Sequence, residues 1–148
     1  MRRVVCAIAV ILAVIVSLSP ALASSLSWSQ LRDSTGLVVF MRHAIAPGTG
    51  DPANLDLRDC ETQRNLSAEG REQARDIGMR IRAARVPVAA VVSSPWCRAL
   101  DTARIVDIGP VFTRSYLGSS FRSRESAAES RARRTKAVIH EHASRPGV

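Results

Sequence analysis

Lysine is almost missing from this 148-residue chain: Lys136 is the only one, against twenty arginines. Aromatic residues make up only 4% of it, and none interleave with basic side chains in the pattern of a single-strand nucleic-acid surface. Helix-turn-helix and zinc-finger spacings are also absent, so the formal charge of +8 does not argue for nucleic acid. A basic balance suits other anions, such as phosphate esters or acidic lipid. No internal repeat or low-complexity tract breaks the chain, and its length allows one domain at most.

Cysteine is scarce too, with three in all, and the first residues decide how they count. The opening MRRVVCAIAVILAVIVSLSPALASS has a basic start at Arg2 and Arg3 and an apolar core from Val4 to Leu18. It closes on the small-residue site Ala21-Leu22-Ala23. The apolar core is 15 residues long, short of the ~20 that cross a bilayer comfortably. Residues 1–23 are therefore read as a cleaved secretory signal, with an uncleaved membrane anchor as the second reading. The exported part, 24–148, keeps a net charge of +6 once Arg2 and Arg3 are gone. It has no membrane span and is expected to be secreted or periplasmic. Cys6 leaves with the leader, and Cys60 and Cys97 remain as an even pair in an oxidising compartment. A bridge between them would enclose 36 residues, worth roughly 3.5–4 kcal/mol by loop entropy.

Along the exported part, Ser27 can cap a short helix carrying Trp28 and Leu31. Leu37 to Met41 is apolar and β-branched, which predicts a first strand. The following APGTGDPANLDLRDCETQ is rich in turn formers and reads as a loop of a length that is often functional. Ser67 caps a helix whose Ala74, Ile77, Ile81 and Ala84 share one face. Val88 to Val92 predicts a second strand. SSPWCRALDTARIV follows as a helix with Ser94 as N-cap and Pro95 in the first turn. Val111 and Phe112 suggest a third strand, and 126–144 a final arginine-rich helix. Strand-helix alternation of this kind predicts an α/β fold with a mainly parallel sheet.

Ligands of such folds bind outside the carboxyl ends of strands. Two segments leave strands there: Arg42-His43, and SSPWCR with Arg98 in the first turn of its helix. A helix start already attracts anions, and two guanidinium forks add bidentate donors for phosphate oxygens. His43 beside them is a candidate nucleophile, its neutral imidazole attacking phosphorus. Arg122, Arg124, Arg131, Arg133 and Arg134 read instead as a solvated face.

Three stretches, FMRHA, NLSAEGREQARDIG and SSPWCRALDTA, together resemble the histidine phosphatase superfamily, the phosphoglycerate-mutase-like enzymes. They span Leu37 to Val106, 70 residues. The leader and cysteine pair further resemble an exported branch that includes phosphatases of lipopolysaccharide-core heptose phosphates. The resemblance implies a three-layer α/β/α fold and hydrolysis of a small phosphomonoester, with an envelope sugar phosphate as one candidate. It implies that His43 is transiently phosphorylated, that Arg42 and Arg98 hold the phosphoryl group, and that no metal or other cofactor is needed. Arg64, where family members often carry an additional arginine, is a candidate substrate contact or an exposed loop charge.

The chain departs from the family pattern in three ways. Ala44 replaces the usual glycine. No general acid is evident, Glu125 being the only carboxylate in SYLGSSFRSRES. The family's second histidine, at the end of a late strand, has no clear counterpart: KAVIHEHASRPGV reads as a helix, so the expectation is a domain lacking its last strand or strands. His140 would be the second histidine if that stretch were a strand; a metal site from His140 and His142 lacks further ligands. Two other functions stay open: a phosphate-binding relative without turnover, and an arginine-rich binder of acidic envelope lipid or polysaccharide.

Overall fold

The computed structural model describes residues 26–118 and 125–143, the side chains of 125, 126 and 142 excepted. The leader and its cleavage site lie outside the described residues, as do Arg122 and Arg124. Ser27 caps helix α1, Trp28–Asp33, in a full capping box: its hydroxyl accepts from the Gln30 amide and the Gln30 side chain accepts from the Ser27 amide. Two orphan donors at the helix start are thereby satisfied. Ser67 does the first of these jobs for α2, Ala68–Ala83, accepting from the Gly70 amide. The remaining elements are strand β1, Val91–Ser93, helix α3, Cys97–Val106, strand β2, Val111–Thr113, and helix α4, Glu125–Ala143. Two 3-10 turns, Cys60–Thr62 and Ser115–Leu117, punctuate the connections.

Helices α2 and α3 carry the core. Ala74 and Val106 are almost wholly buried, and Ile77, Ile81, Ile105 and Ile108 pack around them. Small residues let the backbones approach. A Cβ on Gly78 would sit 2.0 Å from the Val106 carbonyl oxygen, and one on Gly70 2.0 Å from that of Ile45. Either contact is impossible for a larger residue without moving backbone.

Strands β1 and β2 are parallel, with Val91 opposite Val111 and Ser93 opposite Thr113, and α3 makes the crossover between them. This is a mixed helical and parallel-sheet arrangement, compatible with the expected α/β class. Two expectations are corrected. Leu37–Met41 is not a paired strand: among the described residues the sheet contains β1 and β2 only. A β-branched run becomes a strand only where a neighbouring backbone supplies a ladder. Lacking one, Val39, Phe40 and Met41 stand 63%, 67% and 50% exposed. The second correction concerns α3, which begins at Cys97 with Trp96 in the cap position and no side-chain cap from its own segment; Ser94 is not its N-cap.

A candidate anion-binding and active site

The site begins with a bridge. Cys60 and Cys97 are disulfide-bonded, with Cα atoms 5.7 Å apart, tying the 46–63 loop to the first residue of α3. Next to the bridge, the buried Gln63 accepts from the Cys97 amide at 3.0 Å through Oε1. Its Nε2 donates to the Asp56 carbonyl at 3.0 Å. A side chain 34 positions away thus satisfies the helix N-terminus that Ser94 does not cap.

In the first turn of α3, Arg98 is buried, its side chain 8% exposed. A guanidinium so far from water needs an anion or several acceptors, and Asp51 supplies the first. Arg98 Nη1 bonds to Asp51 Oδ1, Nη2 donates to Oδ2 at 3.1 Å, and Trp96 Nε1 donates to Oδ2 at 3.2 Å. The Arg98 pairing holds the Asp51 carboxyl below the usual carboxylate range, aided by the Trp96 donor and by Arg64.

Arg64 is not a solvated loop charge. Its Nε donates to the Gly50 carbonyl at 2.9 Å and Nη1 to the Ala46 carbonyl, so it clasps the loop that carries Asp51. Burial and the nearby Arg98 lower its pKa, with Asp51 opposing.

His43 is half-buried, and its Nδ1 lies 2.7 Å from the Ala44 carbonyl oxygen. A carbonyl only accepts, so Nδ1 must carry the proton and Nε2 the lone pair. Burial lowers the imidazole pKa; the Ala44 bond opposes this, while Arg98, Arg64 and Arg42 push in the same direction as burial. His43 is therefore neutral at pH 7, starting from an ordinary value of about 6.5. The next residue anchors this segment: the Ala44 amide donates to Thr102 Oγ1 at 3.0 Å, and that hydroxyl donates to the Arg98 carbonyl at 2.6 Å. Histidine segment and arginine helix are thus joined through one buried threonine.

Arg42, His43, Arg64 and Arg98 all line one cleft of about 1090 Å³, which is also bounded by apolar side chains from 37–41, β1 and α4. Asp51 is the only carboxylate among its described lining residues. The sequence reading missed Asp51, Gln63 and Thr102. For Asp51 the available signal was the turn GTGDP in a loop already marked as functional, and for Thr102 the stretch SSPWCRALDTA that contains it; for Gln63, nothing local distinguishes it. His140 is exposed on α4 and does not line the cleft, while Glu125 opens α4 with its side chain outside the described residues. Among the described residues no group of three or more metal-ligating side chains occurs, and no helix is long and apolar enough to cross a membrane.

A cleft lined by arginines with a tautomer-fixed histidine at its wall suits an anion, and the comparison with protein families says where the chain belongs. The histidine phosphatase superfamily (branch 1) matches residues 38–117, more than half of the chain. The chain belongs to that superfamily, whose members are generally phosphatases or mutases acting on small phosphorylated substrates. Comparisons with curated proteins and with solved structures returned no match.

Proposed function

We propose that this protein is a phosphomonoesterase working through a phosphohistidine on His43. The observation that carries the reading is the Nδ1 contact to the Ala44 carbonyl, which leaves the Nε2 lone pair available in a cleft lined by Arg42, Arg64 and Arg98 among others. Nε2 attacks phosphorus, an N–P bond forms, and the P–O ester bond breaks. The leaving oxygen takes a proton from an acid or from water. Water then attacks the phosphorus, the N–P bond breaks, and phosphate leaves with the imidazole restored. Arg42 and Arg98 stabilise the transferring group, whose charge is spread over three oxygens. Arg64 contributes through the loop it clasps.

The leader and the bridged cysteines support export into an oxidising compartment, where an envelope sugar phosphate is a suitable substrate. We extend the same reading to a three-layer α/β/α fold. A second reading, phosphate binding without turnover, is favoured by one observation. The cleft's only described carboxylate is already bound to Arg98, and no second histidine occurs among its described lining residues.

Protein quenched in alkaline denaturant after incubation with a labelled phosphomonoester separates the two. The enzyme reading expects acid-labile label on the wild type and none on His43→Ala; label absent from both, with phosphate binding retained, establishes the binding reading instead.

A further inference from the structure

The Arg98 fork is already full. Its two terminal nitrogens are taken by the two oxygens of Asp51, and a carboxylate presents to guanidinium nearly the same paired acceptors as a phosphoryl group. The pair is well enclosed, the two side chains being 8% and 17% exposed. The loop is shaped to deliver the carboxylate: Gly48 and Gly50 take positive φ of 83° and 70°, a region closed to most residues. The Gly50 carbonyl is then gripped by Arg64, and Trp96 fixes the second oxygen of Asp51. Chain geometry, a cationic clasp and an indole donor thus converge on one acid.

We propose that Asp51 is an internal competing anion, which an incoming phosphoryl group must displace from Arg98. This rests on the reading above that Arg98 binds the phosphoryl group. Entry is then an anion exchange. A monoanion replacing Asp51 gains no charge over the carboxylate it expels, whereas a phosphomonoester dianion brings one more negative charge to Arg42, Arg64 and Arg98. The carboxylate of Asp51 therefore sets a threshold that any entering anion must pass, and a monoanion passes it least easily. Binding also releases Asp51 together with the loop it ends, so occupancy of Arg98 and the position of the 46–51 loop change in concert.

The test is calorimetric titration of the full chain with inorganic phosphate and with dimethyl phosphate, a monoanion. Wild type prefers phosphate by about 10-fold or more, the scale of one charge-assisted contact. Asp51→Asn keeps the side-chain shape and removes the competing charge; it binds phosphate roughly 10-fold tighter, and dimethyl phosphate tightens with it, since either anion displaces the same carboxylate. Unchanged or weaker phosphate binding in Asp51→Asn overturns the proposal. If that variant fails to fold by circular dichroism, Trp96→Phe loosens Asp51 while keeping its charge. Phosphate affinity in Trp96→Phe then rises about 2-fold to 3-fold, and no rise overturns the proposal. Label on His43 with no tightening in Asp51→Asn sinks Asp51's role alone. Tightening without label sinks the enzyme reading and leaves the exchange site standing.

Discussion

The two walls of the cleft are built differently. On the wall of α3 and the 46–64 loop, a disulfide, the Gln63 cap, the Arg64 clasp and the Arg98–Asp51 pair all fall within a short stretch of space. The facing wall, Leu37–His43, has no sheet partner among the described residues and exposes Val39 and Phe40. A further opening of about 510 Å³ lies beside it, bounded by Met41, His43, Gln73 and Ile77. What fastens this wall is at its end, where Ala44 is held by Thr102 and Ile45 by Gln73 and Ser67. Arg64 and Arg98 therefore sit on the closely tied wall, and Arg42 and His43 on the one with fewer ties. Affinity and reactivity should respond to different substitutions.

The largest effect tests that division directly. His43→Ala should lower turnover of a generic phosphomonoester by at least about 10³-fold while leaving inorganic phosphate binding by calorimetry within a few-fold of wild type. Equal loss of both would mean that the two walls act as one. On the closely tied wall, replacing Cys60 and Cys97 by serine removes the bridge. Denaturant unfolding should show about 3.5–4 kcal/mol less stability, and phosphate affinity should fall with it as the loop loosens from α3.

Thr102→Val breaks the tie between the walls. The Ala44 amide loses its acceptor, so stability should drop by about 1–3 kcal/mol, with kcat falling further than phosphate affinity. A matching fall in both would show that Thr102 supports Arg98 rather than His43.

The pH response follows from His43. Its pKa is lowered by burial first, so the unfolded chain binds the proton more readily below an ordinary value of about 6.5. Its contribution to stability is unchanged above that value and becomes unfavourable as pH falls toward the folded value. Phosphorylation, which needs the neutral ring, should stay flat from pH 8 down to about 6.5 and decline only below it. A decline beginning above that range would contradict the lowered pKa. Asp51 adds a second acid limb: its depressed carboxyl stabilises the fold above the ordinary carboxylate range and loses that contribution as pH falls through its folded value. The smallest effect is expected at Phe40, 67% exposed. Phe40→Ser should shift unfolding by no more than about 0.5 kcal/mol; a larger loss would mean that this wall is covered in solution.

Short-range patterns carried much of this in the sequence. Ser27 and Ser67 announced their helices because a cap acts within three residues. The small and apolar face of α2 was legible from its period, and Cys60 with Cys97 was legible because two cysteines allow one pairing. Leu37–Met41 was misread because strand propensity cannot reveal whether a neighbouring backbone is present. Ser94 was misread as a cap because Gln63, which satisfies the start of α3, is remote in sequence.

By itself, then, the sequence determined the helices, the bridge, and the placing of Arg42, His43 and Arg98 in family motifs, all of them matters of nearby residues or of residue identity. Tertiary structure alone decided that the Nδ1 proton of His43 points at its own backbone, that Thr102 joins the two walls, and that a loop aspartate fills the Arg98 fork. Those outcomes depend on which groups meet once water is excluded. A buried guanidinium takes whatever acceptor the fold presents to it, and no local pattern around Arg98 names Asp51.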